Sequence, residues 1–142
     1  MISASLISDA WSKITGKATE GSTSVSITVG NTAPTIPFVQ AITAQDLIES
    51  NKKSITFYFT ASDADGNVNL DDATAKAYFQ KSGQTTRSNT SCVAGTASGN
   101  QKNYSCTIDM WFFDQAGVWT INTTVEDIND APAENSSTTF SV

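Results

Sequence analysis

Apolar residues alternate strictly with small polar residues in several stretches of this chain, and this period of two limits the fold more than any other feature. Ile55, Phe57 and Phe59 occupy every second position of one stretch, and residues 105–110 and 119–126 repeat the pattern. Successive side chains of a β-strand point to opposite faces of its sheet. The pattern therefore predicts strands with one face in a core and a face rich in Ser and Thr in water.

About seven such runs are separated by turns that contain Gly, Asn, Asp or Pro. Alternating runs joined by such turns are typical of antiparallel sheets rather than of parallel α/β folds. With 142 residues, the chain has the length of about one domain. We therefore predict an all-β protein, an antiparallel β-sandwich of about seven strands. The residues expected to share its core are Ile55, Phe57, Phe59, Ile108, Trp119, Ile121 and Val125.

Residues 1–17 have a different period, because their apolar side chains recur every three or four positions. This spacing predicts a short N-terminal amphipathic helix. A helix of this length is marginal alone in water, so its apolar stripe needs a partner. We divide the chain into a helix and linker at 1–21, which we expect to serve attachment or assembly, and a sandwich domain at 22–142. Packing of the helix on its own sandwich is the alternative. The stripe consists of Ile2, Leu6, Ile7, Ala10, Trp11 and Ile14.

The composition excludes several classes of function. Ser and Thr number 38, His is absent, and the formal net charge is −6. Without His, nucleophiles activated by His and zinc sites built on His are excluded, and the chain lacks the clustered cations that nucleic acid requires. Nearly all carboxylates lie in turns with Gly or Asn, where water solvates them, so we expect no paired catalytic acids and no enzyme. No apolar run of 18 residues occurs, so membrane attachment would need an anchor outside this chain.

Two cysteines, Cys92 and Cys106, flank a short polar segment. A disulfide that closes a loop of ~15 residues contributes ~3 kcal/mol of stability in the chain-entropy model. Two buried free thiols, or a metal site with two thiolates, are the alternatives, although a structural zinc takes about four ligands and no other soft ligand lies nearby. We predict the disulfide, and with it an oxidising, extracellular or cell-surface location.

Four Asn-X-Ser/Thr sequons are compatible with export and glycosylation. A chain so rich in Ser, Thr and Asn acquires some sequons by chance, so they permit this location rather than establish it. The candidate acceptor residues are Asn89, Asn103, Asn122 and Asn135.

Three further segments follow one another in a characteristic order. They are Asn31-Thr-Ala-Pro34, Ala61-Ser-Asp-Ala-Asp-Gly66, and the segment 114–132, which runs from Asp114-Gln-Ala-Gly to Asp130-Ala-Pro132. In this order they resemble the immunoglobulin-like and cadherin-like sandwich modules of prokaryotic surface proteins. The resemblance covers residues 31–142 and implies an immunoglobulin-like β-sandwich with an adhesive, spacer or surface-layer role. Antibody-type disulfides join strands far apart in sequence, whereas these cysteines lie close together, so we expect their bond to close a hairpin or clamp a loop.

Two acidic segments are candidate calcium sites. Asp63 and Asp65 are closely spaced carboxylates, and calcium takes roughly six to eight oxygen ligands. The alternative, which we favour for this cluster alone, is an Asp-Gly turn with solvated acidic flanks. Asp127, Asn129 and Asp130 have the spacing of the calcium-binding linker of cadherins, so the resemblance implies a calcium role for them, with an acidic hairpin loop as the alternative. We expect no cofactor other than calcium.

Three consecutive aromatic residues, Trp111, Phe112 and Phe113, cannot all enter one core from a straight strand. They are candidates for an exposed contact surface toward a protein partner or a glycan. The alternative is that they cover the base of the sandwich under the N-terminal helix, with Trp11 as their packing partner.

The sequence thus predicts a non-catalytic extracellular module with a structural or adhesive role at a cell surface or in a surface layer. Its expected partners are another protein, other copies of itself, or glycans. A subunit of an extracellular filament or pilus, assembled through the N-terminal segment, is one alternative. A carbohydrate-binding accessory domain, marked by a shallow platform of Trp and Tyr, is another.

Overall fold

The computed structural model describes residues 30–142. They form eight strands, one more than expected, and a short 3-10 turn at Asn67–Asn69. Two of the eight, at residues 87–89 and 93–98, are short edge strands without an alternating core face, which explains why the apolar pattern did not show them. The strands are β1 (Thr35–Val39), β2 (Lys52–Ser62), β3 (Leu70–Gln80), β4 (Arg87–Asn89), β5 (Val93–Ser98), β6 (Gln101–Trp111), β7 (Val118–Asp127) and β8 (Pro132–Ser141).

The strands form two antiparallel sheets of four. The first sheet has the order β1-β2-β6-β5, and the second has the order β4-β3-β7-β8. If the strands are lettered along the chain as in immunoglobulin domains, these orders correspond to A-B-E-D and C′-C-F-G, the arrangement of the immunoglobulin fold. The prediction of an all-β immunoglobulin-like sandwich is therefore confirmed.

The core between the sheets contains all seven residues that the sequence pattern assigned to it. Ile55 lies opposite Ile108 in the β2–β6 register, and Phe57 lies opposite Cys106. The ring of Phe57 meets that of Phe79 from the second sheet, with centroids 5.5 Å apart. The period of two thus directed one face of each strand into a common core, as expected.

The two cysteines form the predicted disulfide. Cys92 directly precedes β5 and lies beside Cys106 on β6, with Cα atoms 4.6 Å apart, a spacing usual for neighbouring antiparallel strands. The backbone N–H of Cys92 donates to the carbonyl of Ala75 in the second sheet at 3.0 Å. The bond therefore closes the β5–β6 hairpin and also fastens the crossover from the second sheet to the first.

Several expectations concern residues outside the described part of the chain. They are the helix at 1–17, the linker that follows it, the beginning of the sandwich domain at 22–29, and the packing role of Trp11. Within residues 30–142, no helix is long and apolar enough to cross a membrane.

Candidate functional site

The sandwich has two poles at opposite ends of its strands. Since β2 and β6 are antiparallel, Ser62 and Gln101 lie at one pole, and Lys52 and Trp111 lie at the other. We call the first the acidic pole; it consists of residues 31–32, the loops 63–69, 99–100 and 127–131, and the strand ends beside them. We call the second the aromatic pole; it consists of the loops 45–51, 81–86 and 112–117 and their strand ends.

Asp63 is fully buried at the acidic pole, directly after β2. Its Oδ1 accepts the backbone N–H of Asp65 at 2.8 Å, which forms a turn. Its Oδ2 is buried and has no hydrogen-bond partner among the described residues. One carboxylate oxygen at this pole is therefore left without a protein donor, an arrangement that carries a free-energy cost.

Asp127 is also buried, at the end of β7. Its Oδ1 accepts the backbone N–H groups of Asn129 and Ala131, both at 2.8 Å. Its Oδ2 accepts the side-chain amide of Asn31 at 2.7 Å. This bond from Asn31 and the two backbone bonds hold the pKa of Asp127 below its ordinary value, against the opposing effect of burial.

The Asn31–Thr32 segment connects the two acidic loops. Asn31 donates to Asp127, and the backbone N–H of Thr32 donates to Asp65 Oδ2 at 2.7 Å. Residues about a hundred positions apart are thereby held at one end of the molecule. No sequence pattern marks Asn31 by itself as a site residue, although it opens the Asn31-Thr-Ala-Pro34 segment on which the family resemblance rests.

The five candidate calcium ligands all lie at this pole, but they differ in placement. Asp63 and Asp127 are buried, whereas Asp65, Asn129 and Asp130 are exposed. Within residues 30–142, no group of three or more His, Cys, Asp or Glu side chains is arranged so that it could hold a metal ion. Most of the carboxylate oxygens named above accept N–H groups instead. Calcium binding by these residues stays a prediction.

The acidic pole carries most of the negative charge. Of the six Lys and Arg residues in 30–142, only Lys102 lies there, with Nζ 2.8 Å from Asp72 Oδ1. The hydroxyl of buried Tyr104 donates to the same oxygen at 2.7 Å. Burial raises the pKa of Asp72, but these two hydrogen bonds outweigh it and the pKa is lowered. Seven of the twelve carboxylates in the described residues lie at this pole: Asp63, Asp65, Asp71, Asp72, Glu126, Asp127 and Asp130.

The aromatic pole exposes the three consecutive aromatic side chains. Trp111 is 37% exposed, Phe112 is 49% exposed and Phe113 is 61% exposed. The rings of Trp111 and Phe113 stack with centroids 5.9 Å apart, and Phe112 meets Phe113 edge-on at 5.1 Å. The rings therefore pack on one another and form a compact projection instead of a flat platform.

A buried ion pair holds this projection. Arg87 Nε lies 3.0 Å from Asp114 Oδ2, and the same oxygen accepts the backbone N–H of Trp111 at 2.7 Å. The Arg87 guanidinium also lies over the ring of Phe113, 5.4 Å from its centroid. This pair could not be predicted from the sequence, because the two residues are 27 positions apart and no motif joins them.

The four sequon asparagines lie on strands and are partly buried, and all four side-chain amides donate hydrogen bonds within the domain. Asn122 donates to Glu134, and Asn135 donates to the carbonyl of Ile36. Asn89 donates to the carbonyl of Thr107 in the first sheet, and Asn103 donates to the hydroxyl of Thr96 on the neighbouring strand β5. Glycosylation at these positions stays a prediction.

An open depression of about 680 Å³ lies on the outer face of the second sheet. Thr120, Asn122 and Glu134 are among its lining residues, and no aromatic side chain lines it. Sugar rings bind in proteins through stacking on aromatic faces as well as through hydrogen bonds. The depression therefore lacks the Trp and Tyr platform that would mark a carbohydrate-binding domain.

Comparison with known proteins gave one similar structure. No protein-family model matches the chain, and no curated protein matches it. The similar solved structure is the PKD domain of an M14-like peptidase from a Thermoplasmatales archaeon, with 20% sequence identity and a TM-score of 0.40. The match covers 80% of this chain and 96% of that one. The assignment of the fold rests on the strand order described above.

Proposed function

We propose that this chain is a non-catalytic extracellular module with a structural or adhesive role in a cell-surface or surface-layer protein. The observation that carries the proposal is that two buried carboxylates hold loops of the domain in place. Asp114 and Asp127 accept N–H groups that fix the loops at the two poles. A glycosidase instead needs two carboxylates that face each other across a substrate cleft. These two buried carboxylates thus serve the shape of the domain.

The disulfide supports the extracellular location, because such bonds persist in oxidising compartments. The location is tested with antibodies raised against the chain and applied to intact source cells. We expect intact cells to be labelled, and the signal to disappear after external protease treatment. Labelling that requires permeabilised cells would contradict the proposal.

A role in filament assembly through residues 1–21 is the alternative that the sequence pattern leaves open. It is tested by deleting residues 1–20 and measuring oligomeric state and thermal melting. If the shortened protein stays folded while self-association disappears, the N-terminal segment mediates assembly. If it loses its fold, the segment is a core element and the assembly role fails.

Calcium binding at the acidic pole is a second candidate function, and the buried, unpartnered Oδ2 of Asp63 favours it. A bound cation would satisfy this oxygen and offset the surrounding charge. We expect calcium chloride to raise the melting temperature of the wild-type chain and not that of Asp63→Asn. Asp109→Asn, at the opposite pole, should respond as the wild type does. Equal shifts in all three proteins, or none, would refute this candidate.

A further inference from the structure

Four strands lie at the edges of the two sheets, and three of them are protected. Natural sheets protect their edges with Pro, charged side chains, short strands or a covering segment. In β1, Pro37 lacks an N–H, and the carbonyl of Ile36 accepts the side-chain amide of Asn135 at 2.8 Å. In β8, the carbonyl of Ser141 accepts the backbone N–H of Gln45 at 2.9 Å. The third, β4, is only three residues long.

The fourth edge strand, β5, is open along its outer side. Its six residues, Val93-Ala-Gly-Thr-Ala-Ser98, include no Pro and no charged side chain, and none of them is buried. The strand does contain a bulge, marked by the register shift between Ala94 and Ala97. Apart from the ladder with β6, no backbone-to-backbone hydrogen bond within residues 30–142 involves residues 93–98. β5 therefore offers unpaired N–H and C=O groups to another strand.

The hairpin turn defines which groups of β5 face outward. Ser98 pairs with Gln101 across a two-residue turn, so these two residues exchange the hydrogen bonds that close the hairpin. Because the bonding side alternates along an antiparallel strand, the N–H and C=O of Ala97 point away from β6. The disulfide between Cys92 and Cys106 fastens the other end of β5. The open edge is thus held in place at both ends, which lowers the entropic cost of binding a partner.

The part of the chain that precedes residue 30 contains a segment suited to this edge. Residues 24–29 alternate three β-branched apolar side chains with Ser and Thr, a pattern typical of a strand. They contain no charge and no Pro, and they equal β5 in length. The immunoglobulin arrangement of eight strands is complete within residues 30–142, so its two sheets do not need this segment.

The direction of the chain favours the edge of a second copy. Residues 24–29 lead into Asn31, whose side chain is fixed to Asp127 at the acidic pole. β5 also runs toward this pole, since Ser98 lies opposite Gln101. Pairing of the segment with β5 of its own copy would therefore be parallel, which is slightly less stable per residue than antiparallel pairing. A second copy can approach in the antiparallel direction without this constraint.

We propose that residues 24–29 of one copy add to the first sheet of a second copy as a strand antiparallel to β5. The apolar face of the added strand lies beside Val93, whose side chain is 68% exposed in a single copy. The contact is heterologous, so each copy donates one strand and accepts one, and copies can join into a chain. It rests on the structural role proposed above and adds to it a specific partner and contact.

The test uses variants of the full chain that damage one side of the contact. Ala97→Pro removes the outward N–H of the accepting strand, and Pro is tolerated at edge positions whose N–H faces solvent. Ile27→Asp places a charge on the apolar face of the donated strand. The matched controls are Ala97→Ser, which keeps the N–H, and Ser26→Asp, which places the same charge on the polar face. We expect all four variants to melt near the wild-type temperature, because Ala97 is exposed and the other two positions precede the described sandwich.

Association is measured by sedimentation velocity at concentrations up to about 1 mM, the weak end of specific binding. We expect the wild type and both controls to form a concentration-dependent series of oligomers. Ala97→Pro and Ile27→Asp alone should each associate at least about tenfold more weakly, because each lacks one half of the contact. An equimolar mixture of these two variants should form a dimer of twice the 15.0 kDa chain mass, because one intact donor and one intact acceptor remain.

Amide hydrogen exchange reports on the edge directly and does not depend on whether Ala97→Pro folds. At a concentration where the wild type associates, the amide of Ala97 should exchange at least about tenfold more slowly in the wild type than in Ile27→Asp. Equal exchange rates in these two proteins would exclude β5 as the acceptor.

Other outcomes also overturn the proposal. A monomeric wild type, or equal weakening by Ser26→Asp and Ile27→Asp, would exclude the strand addition, as would a mixture of two folded variants that fails to dimerise. Deletion of residues 1–20 should leave association intact, so its loss there, together with its persistence in Ile27→Asp, would assign assembly to the N-terminal segment instead. Because these results concern association alone, they leave the extracellular location and the non-catalytic role to the cell-labelling test.

Discussion

At the acidic pole, Asp127 is held by amide groups alone, whereas at the aromatic pole Asp114 is held by the guanidinium of Arg87. Both carboxylates are buried, and both accept backbone N–H groups of their own loops. Amides fix the geometry but leave the negative charge in place, while a guanidinium neutralises it. A buried carboxylate thus holds each loop, but the negative charge remains at the acidic pole and is neutralised at the aromatic pole.

The largest loss of stability is expected when the Arg87–Asp114 ion pair at the aromatic pole is removed. Asp114→Ala leaves the Arg87 guanidinium partly buried without its counter-charge and removes the acceptor for Trp111 N–H. We expect a loss of about 3 kcal/mol in the free energy of unfolding, toward the low end for a broken buried ion pair. Urea denaturation followed by Trp fluorescence measures it.

The control for this prediction is Asp109→Ala, which removes the exposed ion pair with Lys52 at the same pole. Exposed pairs contribute about 1 kcal/mol or less. Equal losses in the two variants would show that burial of Arg87 does not determine the stability of this loop.

A somewhat smaller effect is expected from the disulfide, which lies between the poles. Replacing Cys92 and Cys106 together by Ser should cost about 3 kcal/mol or less, according to the entropy of a closed loop of this length. For a domain of this size, ~1 kcal/mol corresponds to roughly 2–8 °C in melting temperature. Calorimetry of the double variant would show a single transition at lower temperature; two separated transitions would mean that the poles unfold independently.

The smallest effect is expected at the acidic pole. Because the pKa of Asp127 is lowered in the folded state, its contribution is complete above the ordinary carboxyl pKa of about 3.9 and is lost as pH falls through the folded-state value. Asn31→Ala removes the largest cause of this lowering, so acid unfolding should begin at a higher pH than in the wild type. Trp fluorescence between about pH 5 and pH 2 measures the shift.

Thr32→Ala is the control for the acid experiment. It keeps the backbone N–H that donates to Asp65 and leaves Asn31 in place. Its acid transition should match that of the wild type. A transition displaced as far as that of Asn31→Ala would assign the effect to the segment as a whole and not to the amide of Asn31.

The sequence allowed the core and the sandwich to be predicted, because residues such as Phe57 and Trp119 alternate with polar neighbours and the burial of one face follows directly. It also indicated both acidic loops and the aromatic run. It could not show that Asn31 meets Asp127 or that Arg87 meets Asp114, since such contacts depend on how distant loops are brought together by the strand order. Edge strands such as β5 also escaped prediction, because neither of their faces is fully buried.

The position of the disulfide has a mechanical consequence for a module stretched between its poles. Residue 31 lies at the acidic pole, whereas Val142 is hydrogen-bonded to Gly117 at the aromatic pole. A force applied across the module would therefore act along its strands. While the bond between Cys92 and Cys106 is intact, the force cannot extend the chain between them, a sequence separation of 14 residues. At about 3.3–3.6 Å per residue, reduction would lengthen the stretched chain by roughly 45 Å, so the redox state of one bond would set how far the module can yield.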